Sequence, residues 1–247
     1  MNKTLTTMRA STLAVLIAMA LPGCSDKKPE AGTAPTNANL QDALSQQGAQ
    51  KAQLAALPKG DPNTPLAQYA KLESGKQLMF LYYALSNMPL DYDQIATAYS
   101  DDYRNTNDGF KKKDILKAIQ PRIDQEIANA KTNRYFTATE PLNVGPYDFN
   151  NKAFPLNGFE DGTYSYFYDL SNYRYGYTNA APLRMLTIKD DAIARKIEEM
   201  RSKGQGMKLT IYAFAQDVDL NQKIVKSQIL KFKITDNNGA EIYSGSV

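Results

Sequence analysis

The sequence predicts an α+β domain in which helices come first and a β-rich half follows. Between residues 66 and 132, Leu, Ile and Tyr recur at three- and four-residue spacing, which is typical of amphipathic helices. From residue 133 onwards, Tyr, Phe, Thr and Val form short runs separated by Pro, Gly and Asn, which is typical of strands and turns. The residues before 66 follow neither pattern, so we expect the folded domain to begin after them.

The first twenty-four residues have the three parts of an export signal. Residues 1–9 are basic, with Lys3 and Arg9 and no acid, and residues 12–21 are apolar. This apolar run of about ten residues is too short to span a membrane, which takes roughly twenty. A polar stretch, residues 25–28, follows directly. We therefore predict a cleavable export signal and no transmembrane helix at this position.

The stretch Leu21-Pro22-Gly23-Cys24 ends the apolar run and holds the single cysteine of the chain, which has no disulfide partner. It resembles the lipobox of bacterial lipoproteins: Leu21, Gly23 and Cys24 match that pattern, and Pro22 departs from it. The resemblance implies that the thiol of Cys24 receives a diacylglyceryl group, that residues 1–23 are removed, and that the new amine is acylated. At about 0.8 kcal/mol per buried CH₂, two or three acyl chains anchor stably. The alternative is an ordinary secretory signal that leaves a free thiol.

The residue after the cysteine bears on the membrane to which the chain is sorted. Ser25 stands where lipoproteins that are retained in the inner membrane commonly carry Asp. In a Gram-negative host, this resemblance implies the periplasmic face of the outer membrane. The expected partners are the membrane, through the N-terminal lipid, and an envelope protein or glycan.

Composition excludes several classes of site. The chain has no histidine and one cysteine, so it can hold neither a histidine-based triad nor a metal ligated by His or by several Cys. The whole chain has 29 basic and 26 acidic residues, and the loss of Lys3 and Arg9 with the signal reduces the basic residues to 27. A nearly neutral chain has no electrostatic footprint for nucleic acid. We predict no cofactor, no metal and no nucleic-acid partner.

Residues 24–65 have the composition of a flexible tether. They are poor in aromatic residues and rich in Ala, Gln, Asn, Thr and Pro. Four leucines within them mark a short helix from about Asn39 to Leu57. We predict that a single domain follows over residues 66–247, with a helical part at 66–132 and a β-rich part at 133–247.

The helical part contains three predicted helices. The first begins at Pro65, which suits a first helical turn, and ends before Pro89. Asp91 caps the second helix. The third opens after Asp108 and carries isoleucines at four-residue spacing. Because Pro121 lies within this third stripe, we expect a kink there or two abutting helices.

The β-rich part is predicted to be mostly antiparallel, with one inserted helix. We predict strands at residues 135–139, 144–149, 153–156, 163–168, 174–177, 183–188, 207–216, 224–235 and 241–243. The inserted helix begins at Asp190 and ends at Gly204. Tight turns join the last three strands. Alternation is lost near Leu230, which predicts a β-bulge.

Two closely spaced tyrosine triplets are the densest feature of this part. Their members are Tyr164, Tyr166, Tyr168, Tyr173, Tyr175 and Tyr177. In strands, each triplet lies on one face, and a hairpin would join the two triplets in an aromatic ladder. One hypothesis is a binding surface, since tyrosine offers sugar rings or a protein partner a flat apolar face and a hydroxyl. The alternative is the packing of a half-buried sheet face, because tyrosine is a strong strand former.

Carboxylates are the candidates for catalysis, because histidine is absent and the lipobox resemblance implies that the single cysteine is lipidated. Glu140, Asp148, Glu160 and Asp161 fall in predicted loops of the β-rich part. Glycoside hydrolysis needs two carboxyls about 5–10 Å apart beside a sugar groove. Carboxylates in turns are more often solvated or capping groups.

Two acidic stretches approach the pattern of a calcium loop. One follows Asp101, and the other contains Asp217, Asp219 and Asn221 at alternate positions. Both lack the glycine at the sixth position and the glutamate at the twelfth. We therefore predict no metal at either stretch.

A looser resemblance covers residues 66–247. The segments Tyr147-Asp148-Phe149, 151–155 and 186–200 look like an uncharacterised bacterial domain family. This resemblance implies a fold and a compartment and no activity. We predict a membrane-anchored envelope lipoprotein that is a non-enzymatic binding or structural module for another envelope component. The alternative is a carboxylate-dependent hydrolase of cell-wall polymer.

Overall fold

The α+β class predicted from the sequence is confirmed by the computed structural model of the chain. The structure describes residues 6–8, 45, 48–49 and 51–247, the first three by their backbone alone. It divides into two compact units, Ala10–Leu57 and the combination of Met1–Arg9 with Pro58–Val247. In the former unit, residues 51–56 are helical, within the predicted tether helix. Cys24 and the rest of the lipobox lie outside the described residues.

The larger unit contains the helices and strands that position the candidate site. The helices are α1 (Gly75–Ser86), α2 (Tyr92–Tyr99), α3 (Asp101–Asn105), α4 (Gly109–Thr132), α5 (Ala181–Arg184) and α6 (Asp191–Ser202). The strands are β1 (Thr6–Met8), β2 (Ala70–Lys71), β3 (Tyr135–Pro141), β4 (Ala153–Pro155), β5 (Tyr164–Tyr166), β6 (Arg174–Tyr177), β7 (Met185–Thr187), β8 (Met207–Asp219), β9 (Ile224–Asp236) and β10 (Glu241–Ser246). Short 3-10 turns lie at Leu66–Gln68 and Tyr168–Leu170. In the part of the chain that is described, no helix combines the length and apolar character needed to cross a bilayer.

Among the described residues, eight strands form one mixed sheet. Its order is β1-β5-β6-β9-β8-β3-β2, and β10 also pairs with β9. The long β8–β9 hairpin, with 13 residues in each strand, lies at its centre. Most pairs are antiparallel, as predicted, whereas β2–β3 and β6–β9 are parallel. Strands β4 and β7 form a separate two-stranded ladder.

Helix α1 begins at a capping box, later than the predicted start at Pro65. The side chain of Ser74 accepts a hydrogen bond from the N–H of Gln77, whose side chain accepts one from the N–H of Ser74. The upstream residues form a 3-10 turn and strand β2, because the edge of β3 gives them backbone partners. Gly75 fits the first turn because a Cβ there would lie 2.6 Å from Cβ of Leu170.

Local caps also decide the next helices. Asp91 caps α2 as predicted, by accepting a hydrogen bond from the third residue beyond it. Ser100 does the same for α3, so the second predicted helix is in fact two. Asp108 caps α4, which continues without a break through Pro121. The expectation of two abutting helices at this proline is therefore wrong.

The β-rich part departs from prediction in its shorter segments. Residues 144–149 form isolated bridges and no strand. The predicted strand 183–188 is divided between α5 and β7. The bulge predicted near Leu230 is confirmed, because the partners of Tyr212 and Ala213 on β9 skip that residue. The long strands were predicted well because their patterns extend over more residues.

Helix α1 is at the centre of the core. Most of its residues are buried, and it contacts β6, β8 and β9 as well as α4. Helix α4 contributes the predicted isoleucine stripe, in which Ile123 is buried and Ile115, Ile119 and Ile127 pack against the core. The helices therefore cover the inner face of the sheet.

Residues 58–65, which we call the strap, pack on the outer face of the sheet over β3, β8 and β9. The carbonyl of Pro58 accepts from Nε2 of Gln216 (2.7 Å), and the N–H of Gly60 donates to Oε1 of Gln228 (3.0 Å). A Cβ on Gly60 would lie 2.6 Å from Cβ of Phe214, so glycine permits this close approach. The tether was predicted to extend to residue 65, and the packing of the strap corrects its end to residue 57.

Candidate functional site

The second tyrosine triplet, Tyr173, Tyr175 and Tyr177, faces the interior. Tyr173 is 2% and Tyr175 is 0% exposed. The backbone N–H of Arg174 donates to a carbonyl just before β9, so Arg174 directs its backbone groups toward β9. Neighbouring residues of a strand direct these groups to opposite edges, and the N–H and C=O of Tyr175 therefore face β5. Burial, followed by the nearby carboxylate of Glu140, raises the pKa of Tyr175 and of Tyr177. These rings are core residues, and the binding-surface hypothesis is wrong for Tyr173 and Tyr175.

The first triplet lies on the other side of the sheet. The register pairs Ser165 with Tyr175 and Tyr166 with Arg174, so the two triplets form no ladder. The ring of Tyr164 lies 4.5 Å from the guanidinium carbon of Arg174 on this outer face. The rings of Tyr166 and Tyr168 meet edge to face at 5.8 Å. Tyr177 is partly buried and packs against the core, so of the six tyrosines these three remain candidates for a binding surface.

The carboxyl group of Glu140 is the polar centre of the interior. Its Oε1 accepts hydrogen bonds from the hydroxyl of Tyr175 (2.9 Å) and from Oγ of Ser165 (3.1 Å). Burial raises the pKa of Glu140 above its ordinary value, and these two hydrogen bonds offset part of the rise. Glu140 was predicted in a loop, but it lies in β3 with its carboxyl directed into the fold.

The hydrogen bond between Ser165 and Glu140 also shows that the sheet is strongly curved. In the order of the sheet, β3 and β5 are four strand spacings apart, which is about 19 Å on a flat sheet. Glu140 and Ser165 cannot span that distance, because together they reach across no more than two strand spacings, roughly 10 Å. The sheet therefore curls until its two ends approach each other, with α1 and its neighbours packed inside the curve.

A groove of about 700 Å³ opens near the two ends of the curled sheet. We call it the Tyr168 groove. Its lining residues are Leu66, Tyr69, Lys71, Leu72, Glu73, Thr137, Thr139, Phe167, Tyr168, Asp169, Thr210, Tyr212 and Lys233. They come from β2 and its flanks, from β3, β8 and β9, and from the turn that follows β5. Of the six tyrosines in the two triplets, Tyr168 lines the groove.

The lining of the Tyr168 groove mixes apolar, hydroxyl and charged groups. Leu66 is 52% and Tyr168 is 62% exposed, so two large side chains of the lining present apolar surface to the solvent. The hydroxyls of Thr139 and Thr210 lie 3.0 Å apart on its wall. Asp169 is held in place because its Oδ1 accepts the N–H of Gly75 (2.9 Å) at the start of α1. Such a lining suits a ligand with both apolar and polar groups.

The other carboxylates singled out in the sequence serve their own loops. Asp148 accepts hydrogen bonds from the side chain of Asn151 and from two backbone N–H groups beyond it. These hydrogen bonds lower the pKa of Asp148, and the one from the Asn151 side chain has the largest effect. Glu160 accepts the N–H of Gly158, and Asp161 pairs with Arg184. Neither Glu140 nor any of these three carboxylates is among the residues that line the Tyr168 groove.

The calcium-like stretches are likewise built from turn caps. Asp219 accepts from the N–H of Asn221, and Asp217 lies 3.8 Å from the ammonium of Lys226. Asp101 pairs with Arg104. Within the described ranges, no group of three or more acidic, His or Cys side chains could hold a metal ion.

A second cleft of about 700 Å³ lies between α2 and the β5–β6 hairpin. Its charged groups are engaged in local contacts: Asp91 caps α2, and Asp93 accepts from the hydroxyl of Tyr103. At its base the hydroxyl of Tyr173 donates to that of Tyr83 (3.2 Å), which donates to Gln94 (2.7 Å). These polar groups of the cleft therefore stabilise the fold, and their positions do not point to a ligand.

Comparison of the chain with protein-family models, with curated proteins and with solved structures found no match. The resemblance of residues 66–247 to a domain family therefore stays a prediction, as does the lipobox. The candidate site rests on the geometry described above. Sequence reasoning missed the groove because its lining residues come from distant segments and no local pattern connects them.

Proposed function

We propose that this chain is a lipid-anchored envelope protein that binds another envelope component through the Tyr168 groove. In this proposal, residues 1–23 are a signal peptide and Cys24 carries the lipid. The mature chain is held at the periplasmic face of the outer membrane. Residues 25–57 form the tether, and the domain binds its partner as a non-enzymatic module.

The observation that carries this proposal is the exposure of Leu66 and Tyr168 in one groove. Large apolar side chains that remain exposed beside a concave surface mark interaction sites more often than single exposed residues do. Lys71 and Lys233 add positive charge to the same lining, and Glu73 and Asp169 add negative charge. A partner with polar groups of both kinds, such as a glycan strand or a polypeptide, fits this lining.

Site-specific photo-crosslinking in intact cells tests the binding proposal. We expect a photoreactive residue at Tyr168 to give a discrete crosslinked product that mass spectrometry can identify. Phe110 is the matched control, because it is an aromatic residue in α4 with 86% exposure that does not line the groove. Equal products from both positions, or none from position 168, would contradict the proposal.

Membrane fractionation of a Cys24→Ser variant tests the anchor separately. We expect the variant to leave the outer membrane fraction, because the acyl chains require this thiol. Continued outer-membrane association would contradict lipid anchoring and would leave the groove proposal untouched.

The hydrolase alternative has one observation in its favour. Glu73 and Asp169 both line the Tyr168 groove, so two carboxylates face one concave surface. If they form the catalytic pair, purified protein releases soluble fragments from cell-wall polymer, and both Glu73→Gln and Asp169→Asn abolish that release. We place this second because Asp169 already has a structural role at the start of α1.

A further inference from the structure

We propose that the mature chain accepts an extended segment of a partner polypeptide as an additional strand on the outer edge of β5. This inference deepens the proposed function and rests on it, because it requires that the signal peptide is removed. It assigns the partner to one class, a polypeptide in extended conformation, and places it beside the Tyr168 groove.

The backbone groups of β5 at Tyr164 and Tyr166 face away from β6. Arg174 and Thr178 donate their N–H groups toward the β9 side of β6, so the alternate residue Tyr175 faces β5. Because Ser165 pairs with Tyr175, its backbone groups face β6. The N–H and C=O groups of Tyr164 and Tyr166 therefore point to the opposite, outer edge.

A strand of the chain itself already occupies this edge in the structure. Strand β1 pairs with β5 antiparallel, with Thr6 opposite Tyr166 and Met8 opposite Tyr164. The edge is thus able to accept an extended segment over three residues. Residues 6–8 belong to the predicted signal peptide, and its removal would leave the four backbone groups of Tyr164 and Tyr166 without their partners.

The gap between β3 and β5 is narrow. The hydrogen bond between Glu140 and Ser165 requires that β3 and β5 are no more than about two strand spacings apart, so at most one strand fits between them. On the β3 side, β2 pairs with Phe136 and Thr137 and goes no further. The backbone groups of Thr139 point to the same open edge, because alternate residues of β3 pair with β8.

The orientation of β1 predicts how an incoming strand would run. Since Thr6 pairs with Tyr166 and Met8 with Tyr164 in antiparallel fashion, a partner strand in the same orientation has its N-terminal end on the side of Phe167 and Tyr168. A longer partner segment would therefore continue from the edge of β5 into the Tyr168 groove. The strand edge and the groove would then form one continuous site.

Side-chain preferences follow from the two faces of β5. The residue opposite Ser165 projects to the inner face, where Ser165 is 5% exposed, so a short side chain fits. The residues opposite Tyr164 and Tyr166 project to the outer face and pack against tyrosine rings. On that face, Nε of Arg174 is buried and lacks a hydrogen-bond acceptor among the described residues. Its positive charge favours an acidic side chain opposite Tyr164 over a basic one.

The tether of the chain itself is a poor donor for this strand. Residues 25–57 contain no Val, Ile, Tyr, Phe or Trp. The β-branched residues in this segment are Thr33 and Thr36. Such a composition has little preference for a strand. We therefore assign the donor strand to a partner protein in the envelope.

A synthetic peptide of residues 2–10 of this chain is the probe for the site. The mature lipoprotein, purified in detergent, is expected to bind the labelled peptide, with fluorescence anisotropy as the readout. A Cys24→Ala full chain, which keeps residues 1–23, is expected to bind it at least about tenfold more weakly, because its own β1 competes. The intact mass of each protein first establishes whether residues 1–23 are present.

Tyr166→Pro and Tyr166→Ala form a matched pair of variants. Proline removes the N–H that faces the outer edge and keeps the pairing with β6, a position where an edge strand tolerates proline. We expect Tyr166→Pro to lower peptide affinity at least about tenfold, and Tyr166→Ala to lower it less because its N–H remains. Circular dichroism of both variants checks that the fold is retained.

The outcomes separate this inference from the function on which it rests. If mass spectrometry shows that residues 1–23 remain in the wild-type protein, the proposed lipid anchor fails. If the signal is removed and the peptide does not bind, or binds equally to Tyr166→Pro and Tyr166→Ala, the strand-acceptor inference is overturned and the anchor stands. A dimer of the mature protein that Tyr166→Pro dissociates would assign the edge to a second copy and would also overturn it.

Discussion

The two tyrosine triplets have the same spacing in the sequence and opposite environments in the fold. Tyr173, Tyr175 and Tyr177 lie on the inner face of β6, with their rings packed beneath the curled sheet. Tyr164 and Tyr166 lie on the outer face of β5, and Tyr168 follows them into the groove. Period-two spacing shows that residues share a face, but the neighbouring strands decide which face that is.

The difference follows from how each strand is covered. Strand β6 lies between β5 and β9, and α1 packs on its inner face. Strand β5 lies one position further out, where the sheet ends apart from β1. The inner triplet therefore packs in the core, whereas the outer triplet stays partly or largely exposed.

The largest expected effect comes from removing an inner ring. Tyr175→Ala should lower the free energy of unfolding by about 3–5 kcal/mol, because it leaves a cavity and removes a hydrogen-bond donor to Glu140. Urea unfolding followed by circular dichroism measures this change. Tyr164→Ala, on the outer face, is the matched control and should cost less than half as much. Equal losses of unfolding free energy in the two variants would contradict the assignment of Tyr175 to the core and of Tyr164 to the outer face.

The carboxyl group beneath the inner triplet should make stability depend on pH. Glu140→Ala leaves the hydroxyls of Tyr175 and Ser165 without their acceptor, at a cost of about 1–3 kcal/mol. In the wild type, the pKa of Glu140 is raised in the folded state, so the folded state holds the proton more tightly. Stability should then fall as pH rises from the unfolded pKa, about 4.3, to the raised folded pKa.

Glu140→Gln is the control for this pH dependence. Glutamine keeps an acceptor for both hydroxyls and does not titrate. We expect the difference in unfolding free energy between wild type and Glu140→Gln to change across that pH window and to stay constant above it. A difference that does not change with pH would contradict the raised pKa.

A smaller effect is expected at the edge of the inner triplet. Tyr173→Phe keeps the ring and removes the hydroxyl that donates to Tyr83, at a cost of about 1 kcal/mol. Tyr83 still donates to Gln94, so the rest of the chain of hydrogen bonds is retained. Thermal unfolding of Tyr173→Phe beside Tyr243→Phe, at a partly buried position on β10, gives the comparison.

The smallest effect on stability is expected at the exposed end of the outer triplet. Tyr168→Ser should change the free energy of unfolding by less than about 0.5 kcal/mol, because the ring is 62% exposed. The same variant should reduce recovery of the crosslinked partner by most of its wild-type amount. Loss of stability comparable to that of an inner variant would assign Tyr168 to the core instead.

Local chemistry in this chain was predictable from the sequence. Asp91 was predicted as a helix cap, and helix starts were predicted at Asp108 and Asp190, which are the N-caps of α4 and α6. These starts were predictable because a cap depends on residues two or three positions apart. The bulge near Leu230 was visible as a break in alternation. The capping box at Ser74 carries an equally local signal, but apolar spacing across residues 66–85 obscured it.

What depends on distant segments was not predictable. The inward position of Glu140 requires that β3 and β5 approach each other, which follows from the curvature of the whole sheet. The groove combines Leu66, Thr139, Tyr168 and Lys233 from separate parts of the chain. Tertiary contacts of this kind leave no periodic pattern that a single sequence could show.

The strap has a mechanical consequence for an anchored protein. Its first four residues, 58–61, are held by side chains from three strands: Gln216 of β8, Gln228 of β9 and Tyr135 of β3. Under the proposed anchoring, tension between the membrane and the domain reaches these hydrogen bonds first. Because they belong to three adjacent strands, the load is spread across the middle of the sheet and no single strand bears it alone. A pull on the tether would therefore meet resistance before it could reach β2 and α1, which follow the strap in the chain.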